Sequence, residues 1–182
     1  AGSTTKGASY SYDAAYVGPN YQVGLGKVSF NGVNILGTSG VLPKHEVTAL
    51  GGSMTFGAFT PYLAVYNSTL DSATTAGLKT QSNKVNSAGL AWKANNEVLV
   101  RASYATDKGT DLNNIAGRNG QKNTTVMSVE YALSKRTSLN AIVSKNILSG
   151  GYLLEPLYAA ALGKNPAISS VQFYGVGVNH SF

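Results

Sequence analysis

The chain of 182 residues has no cysteine, two histidines, one tryptophan and only 12% charged residues. Each shortage excludes something. Without cysteine there is neither a disulfide framework nor a thiolate metal site. His45 and His180 stand far apart in sequence, and no H-x-x-x-H or carboxylate pair at ligand spacing accompanies them, so no metal or cofactor is expected. No G-x-S-x-G elbow positions a nucleophile, and the chain is not read as an enzyme. Asp107, Asp111, Asn113 and Asn114 share a loop but lack the EF-hand pattern, and they read as a solvated polar loop. No apolar run approaches the roughly 18 residues that a spanning helix needs. The net charge is +6, yet the lysines are dispersed, with no basic–aromatic cluster and no recognition helix, so nucleic acid is not an expected partner. The opening Ala1–Lys6 has no apolar signal-peptide core, which fits either a processed start or a beginning further upstream.

What the chain does have is glycine (21), tyrosine (11) and alternation. Apolar and small or polar residues exchange places with period 2, so two faces are chemically distinct while mean hydropathy stays near zero. Nine strands are expected, at about 7–16, 21–30, 46–56, 60–68, 85–94, 97–106, 123–133, 138–147 and 170–182. Their connections alternate in length. Short turns fall at Val17–Asn20, Gly57–Phe59, Asn95–Asn96 and Ser134–Thr137. Long polar loops fall at 31–45, 69–84, 107–122 and 148–169. Within the last loop, Pro156 to Gly163 reads as a short apolar helix, or equally as a plain Ala-rich loop.

Parity assigns faces. The apolar face takes Tyr10, Tyr12 and Tyr16; Leu50, Met54 and Phe56; Tyr62, Ala64 and Tyr66. Further along it takes Ala88, Leu90 and Trp92; Val98, Val100, Ala102 and Tyr104; Met127, Val129, Tyr131 and Leu133. The last strand places Tyr174, Val176, Val178 and His180 on one side, with Gly175, Gly177, Asn179 and Ser181 on the other, and ends on Phe182. The same parity sends Asp13, Lys93, Glu97, Arg101 and Glu130 to the polar face. An arginine on a lipid face costs about 2–4 kcal/mol near the midplane, so Arg101 falling out of step with Val98, Val100 and Ala102 supports the assignment. The alternative with the same pattern is a soluble secreted all-β binding or adhesin-like module packing one face on a core.

Two segments carry a family resemblance: the terminal Gly177–Phe182, and Tyr131–Leu139, a strand end, tight turn and strand start. They resemble the trimeric general porins of Gram-negative outer membranes, in the branch found in beta-proteobacteria. The strand-and-loop rhythm extends the likeness over most of the chain. Asn179 and Ser181 depart from it, since the matching family positions are usually basic. The resemblance implies an antiparallel transmembrane β-barrel, a homotrimer, passive diffusion of small hydrophilic solutes, and a C-terminus on the periplasmic side. Tyr131, Tyr174, His180 and Phe182 become membrane-interface and signature residues, and Asp13, Lys93, Glu97, Arg101 and Glu130 become pore-lining.

Nine antiparallel strands cannot close a cylinder, because the first and last run the same way. Open edges in hydrocarbon leave unpaired backbone groups, each costing several kcal/mol. Residues 1–182 are therefore expected to be the C-terminal portion of one barrel of about 16 strands, with the N-terminal strands and the constriction loop lying outside it. The inward charges nearly cancel, and the basic excess gathers on the long-loop side at Lys44, Lys79, Lys84, Lys108, Arg118 and Lys122. Outer-membrane lipid and the phosphates of lipopolysaccharide are the expected partners there, with a weak steering of anions toward the mouth.

Overall fold

The computed structural model describes residues 7–31, 44–71, 80–155 and 168–181. Nine strands form one sheet in which each pairs antiparallel only with its sequence neighbours. They are β1 (Gly7–Val17), β2 (Tyr21–Asn31), β3 (Lys44–Met54), β4 (Phe59–Leu70), β5 (Gln81–Lys93), β6 (Val98–Thr110), β7 (Gly120–Ala132), β8 (Thr137–Gly150) and β9 (Ser170–His180). At 11 to 14 residues they are longer than the usual strand of a soluble sheet.

The short turns are built by specific residues. Phe56 and Phe59 exchange both backbone hydrogen bonds, at 2.8 and 3.0 Å, across the two-residue turn Gly57–Ala58. Gly57 supplies the positive φ of 57° that this tight reversal requires. Between β5 and β6, Asn95 Oδ1 accepts the backbone N–H groups of Glu97 and Val98, both at 2.8 Å. Between β7 and β8, Ser134 Oγ accepts those of Arg136 and Thr137. These side chains replace backbone partners that a tight turn leaves unused.

Register fixes the faces, because residues opposite each other share one. Val98 faces Tyr131, Val100 faces Val129 and Ala102 faces Met127. Leu90 in turn faces Ala102 and Trp92 faces Val100. Carried on, Leu139, Ala141 and Val143 of β8 face Val178, Val176 and Tyr174 of β9. This face is apolar and uncovered: Leu63 is 67% exposed and Val176 89%. Near its short-turn end the Phe59 and Trp92 rings stack, with centroids 6.2 Å apart and planes 12° apart.

One strand contradicts the expected phase. On β4 it is Phe59, Pro61, Leu63 and Val65 that share the apolar face, opposite Trp92, Leu90, Ala88 and Asn86. Tyr62, Ala64 and Tyr66 lie on the polar face instead. Because β-strand period is 2, a one-residue misreading flips every side chain. Phe59, expected in the turn, pairs with Phe56 and opens the strand. On β1 the register shifts between Tyr10 and Tyr12, so the unbroken alternation expected for Tyr10, Tyr12 and Tyr16 does not hold.

The strands also run further toward the long-loop side than their apolar stretches. β5 starts at Gln81 rather than 85, β6 continues to Thr110 rather than 106, and β7 starts at Gly120 rather than 123. Polar tracts such as Gln81–Lys84 and Asp107–Thr110 read as loop, yet they continue the backbone ladder beyond the apolar band. The only buried hydrophobic cluster among the described residues sits at this end, formed by Leu112, Leu148, Tyr152 and Val171 with Leu153 packed against it. By register Leu148 and Val171 belong to the polar face, so the segments carrying Leu112 and Tyr152 fold inward over that face. The helix expected at 156–163 lies outside the described residues.

Candidate functional site

The polar face carries the ionic chemistry. Arg101 on β6 stands opposite Ala91 and Ser128. Its Nη1 donates to Glu130 Oε2 on β7 at 3.2 Å, with the two side chains 44% and 36% exposed. A charge-assisted bond in water holds two long side chains flat against the sheet at little net energy. Lys93 ends β5 with the same parity and is exposed. Asp13 is placed by its backbone opposite Gly26, which stands opposite Ala49 on the polar face. Glu97, expected on a strand, lies instead in the β5–β6 turn, exposed, with its carbonyl accepting Ala132 N–H at 2.8 Å.

A second constellation lies toward the long-loop end. Lys122 Nζ is 3.3 Å from Asp107 Oδ2 and 5.1 Å from the centroid of the Tyr152 ring. Asn83 Nδ2 donates to Asp107 Oδ1 at 3.0 Å and to Tyr152 Oη at 2.7 Å. Beside them Thr124 Oγ1 donates to Asn146 Oδ1 at 2.7 Å. Asp107 and Asn146 are buried, and these bonds satisfy them. Loop residues are tied in as well: Gln81 Oε1 accepts Asn113 N–H at 2.8 Å, and Asn114 Nδ2 donates to the Leu70 carbonyl at 2.8 Å. Asp111, Asn113 and Asn114 adopt left-handed backbone with φ of 50°, 57° and 59°, a conformation Asp and Asn tolerate better than most residues. Burial pushes the Glu155 carboxyl above its ordinary range and Asp107 adds to the rise, against the downward pull of Lys122 and Arg118.

These positions revise the basic rim. Lys122 is a β7 residue engaged with Asp107 rather than a loop cation, and Arg118 is half-buried beside Glu155. Lys44, Lys84 and Lys108 also belong to strands, β3, β5 and β6. Lys84 and Lys108 are register partners, both exposed, on the apolar side of the sheet beyond Ala88 and Tyr104. Lys79 and Phe182 lie outside the described residues. At the short-turn end Tyr131 is exposed on the apolar face, and His180 Nδ1 is hydrogen-bonded to Thr137 Oγ1 at 2.9 Å. Tyr174, 76% exposed, donates its hydroxyl to Gln172.

Sequence reasoning missed Asn83, Asp107, Asn146 and Tyr152 as a constellation. For Asp107 the signal was present: it continues the parity of Arg101, Ser103 and Ala105 once β6 is allowed to run on. Tyr152 carries no local signal, because its place depends on how a loop returns over the sheet. Among the described residues no group of three His, Asp or Glu could hold a metal ion.

The geometry is a long-stranded antiparallel meander with an uncovered apolar face and an ionic, hydrogen-bonded opposite face. Structures of OmpT from Vibrio cholerae share the strand arrangement. The outer-membrane-expressed form superimposes with a TM-score of 0.72 at 14% identity, covering 97% of this chain and 56% of that one. An in-vitro folded form gives 0.67 at 15% identity, covering 91% and 53%, and a trimer form gives 0.61 at 15% identity over the same shares. The chain thus spans just over half the length of these structures. No curated protein sequence matches. A family model described as Gram-negative porin matches residues 1–146, and the chain therefore belongs to the Gram-negative porin family of outer-membrane β-barrels.

Proposed function

We propose that this chain forms part of the wall of a water-filled channel through which small hydrophilic solutes and ions diffuse passively across the outer membrane. The observation that carries the reading is the division of the sheet. Apolar side chains from Phe59 to Val178 stand uncovered on one face, while the Arg101–Glu130 pair lies on the other. A soluble module would bury the first face; among the described residues the buried hydrophobics are Val85, Leu112, Leu148, Tyr152 and Val171, none of them in the apolar band. Lipid is the solvent that suits a sheet whose backbone bonds are satisfied between strands and whose apolar side is open. No bond is made or broken in this function.

Within this reading Asp13, Lys93, Arg101 and Glu130 line the channel, with Asp107 and Lys122 at its outer end and Glu97 at the short-turn rim. Nine antiparallel strands need further strands to close, so the wall is one portion of a larger barrel. The trimer form of the Vibrio cholerae protein supports assembly as a homotrimer. The short turns and the C-terminus face the periplasm. Lys84 and Lys108, presented beyond the apolar band, contact phosphates of lipopolysaccharide.

The test is reconstitution of the native protein, extracted in detergent, into a planar bilayer. Stepwise ohmic conductance is the expected result. Protein that stays soluble without detergent and leaves the bilayer silent would overturn the reading.

A further inference from the structure

We propose that the polar face carries a binding track for neutral, ring-shaped polyhydroxylated solutes, sugars in the pyranose form, built on Tyr62 and Tyr66. The proposal rests on the channel reading above and adds a preference to what would otherwise be unselective diffusion. Two tyrosines stand on this water-facing wall, Tyr66 opposite the buried Val85 and Tyr62 over Gly89. On β4 they point the same way, opposite Gly89 and Val85 of β5. Four residues apart, they stand about 13 Å from each other along the strand.

Their surroundings are small. A Cβ at Gly89 would overlap the outer end of the Tyr62 ring, so this glycine leaves the space that the phenol occupies against the wall. The ring face turned away from Gly89 is then what a passing solute meets. On the side of β2 and β3, Tyr62 borders a groove of about 360 Å³ whose lining includes Gln22, Gly24, Gly51, Ser53 and Ala64. That volume lies within the range of small-molecule sites. A Cβ at Gly24 would meet nothing within 4 Å, so the floor is open to solute.

The lining chemistry chooses the solute. No residue lining the groove is charged, which gives an ion no counter-charge. Gln22 and Ser53 offer an amide and a hydroxyl at its edge, both able to donate and accept. A pyranose has an apolar face of C–H groups that suits an aromatic surface, and a rim of hydroxyls that suits Gln22 and Ser53. An open-chain polyol of the same carbon number has the hydroxyls but no flat face. Tyr66, 39% exposed, offers a second ring that an oligosaccharide reaches and a monosaccharide at Tyr62 does not.

The test uses the native protein in a planar bilayer, with added glucose, sorbitol or maltotriose as the probe. Glucose should reduce the ion current in a saturable manner, and sorbitol should do so only in proportion to viscosity. Tyr62→Leu should raise the half-blocking glucose concentration about fivefold or more, the lower end of aromatic stacking effects, with open-channel conductance retained. Tyr62→Phe, which keeps the ring, should stay within about twofold of the unsubstituted protein. Tyr66→Leu should weaken maltotriose and leave glucose unchanged. Equal block by glucose and sorbitol, or block indifferent to Tyr62→Leu, would overturn the proposal while leaving the channel standing. Absence of any conductance would remove both.

Discussion

A charge placed at two adjacent positions of β4 distinguishes the observed phase from its opposite. Leu63→Arg puts a guanidinium on the apolar face, and Ala64→Arg puts the same group on the polar face at the same depth. Leu63 is four residues into the strand from Phe59, about 13 Å along it. With a strand tilt of roughly 40°, that is about 10 Å of height in an apolar band about 25 Å tall. Leu63 therefore sits near the midplane, where Arg costs about 2–4 kcal/mol. At about 1.4 kcal/mol per decade, this is roughly a 30- to 700-fold loss in the folding equilibrium. Ala64→Arg, with water in front of it, should stay within about 0.5 kcal/mol. The assay is reversible denaturant unfolding in lipid vesicles, followed by the fluorescence of Trp92, the single tryptophan of the chain. Equal losses at the two positions, or a larger one at 64, would refute the face assignment of β4 and with it the placing of Tyr62.

Three further outcomes follow from the same geometry. A double-mutant cycle on Arg101 and Glu130 should return a coupling of about 0.2–1 kcal/mol, the scale of an exposed pair; a coupling above 2 kcal/mol would show a drier wall than the exposures indicate. Leu112 is 1% exposed in the inward-folded cluster, so Leu112→Ala should cost about 2–5 kcal/mol locally. Amide exchange across 111–119 would then quicken by roughly 30-fold or more, while the β6–β7 ladder near Arg101 stays protected. Glu155 has a carboxyl pKa raised chiefly by burial. Its neutral form is favoured by the fold, so the packing of Gly151–Glu155 should be firmest at acidic pH and weaken as pH rises from the ordinary carboxylate value through the raised one. Glu155→Gln should flatten that dependence in an exchange measurement run from pH 4 to 7; a slope of opposite sign would refute it.

The meander was legible in the sequence because its signals are local. Alternation marks each strand, and Asn95, Gly57 and Ser134 mark turns that need only their neighbours. Nine strands and their short and long connections follow from those marks alone. The phase of β4 was not secure, since both of its parities are apolar enough for lipid: Tyr62, Ala64 and Tyr66 on one side, Leu63 and Val65 on the other. Pairing with Ala88 and Asn86 decides it, and pairing is a relation between strands. Similarly, Lys122 carries no mark that separates a rim cation from one held by Asp107 and Tyr152. The ladder beyond the apolar band needs no hydrophobic pattern at all, so its polar strand ends look like loop.

Every strand pair joins neighbours in the chain, and this bears on how the wall is assembled. Hairpins joined by turns such as Gly57–Ala58 close over short stretches of chain and need little entropy to form. The sheet can therefore grow strand by strand, each new edge serving as template for the next. On the channel reading proposed above, what cannot form locally is the seam that would join the edges of β1 and β9 to further strands. That step brings together strands separated by the whole growing sheet, and long-range pairing of this kind is slow. Until it is made, two rows of unpaired backbone groups remain open to any strand that passes. On that reading, a longer time with the seam unsealed shifts the competition from insertion toward aggregation.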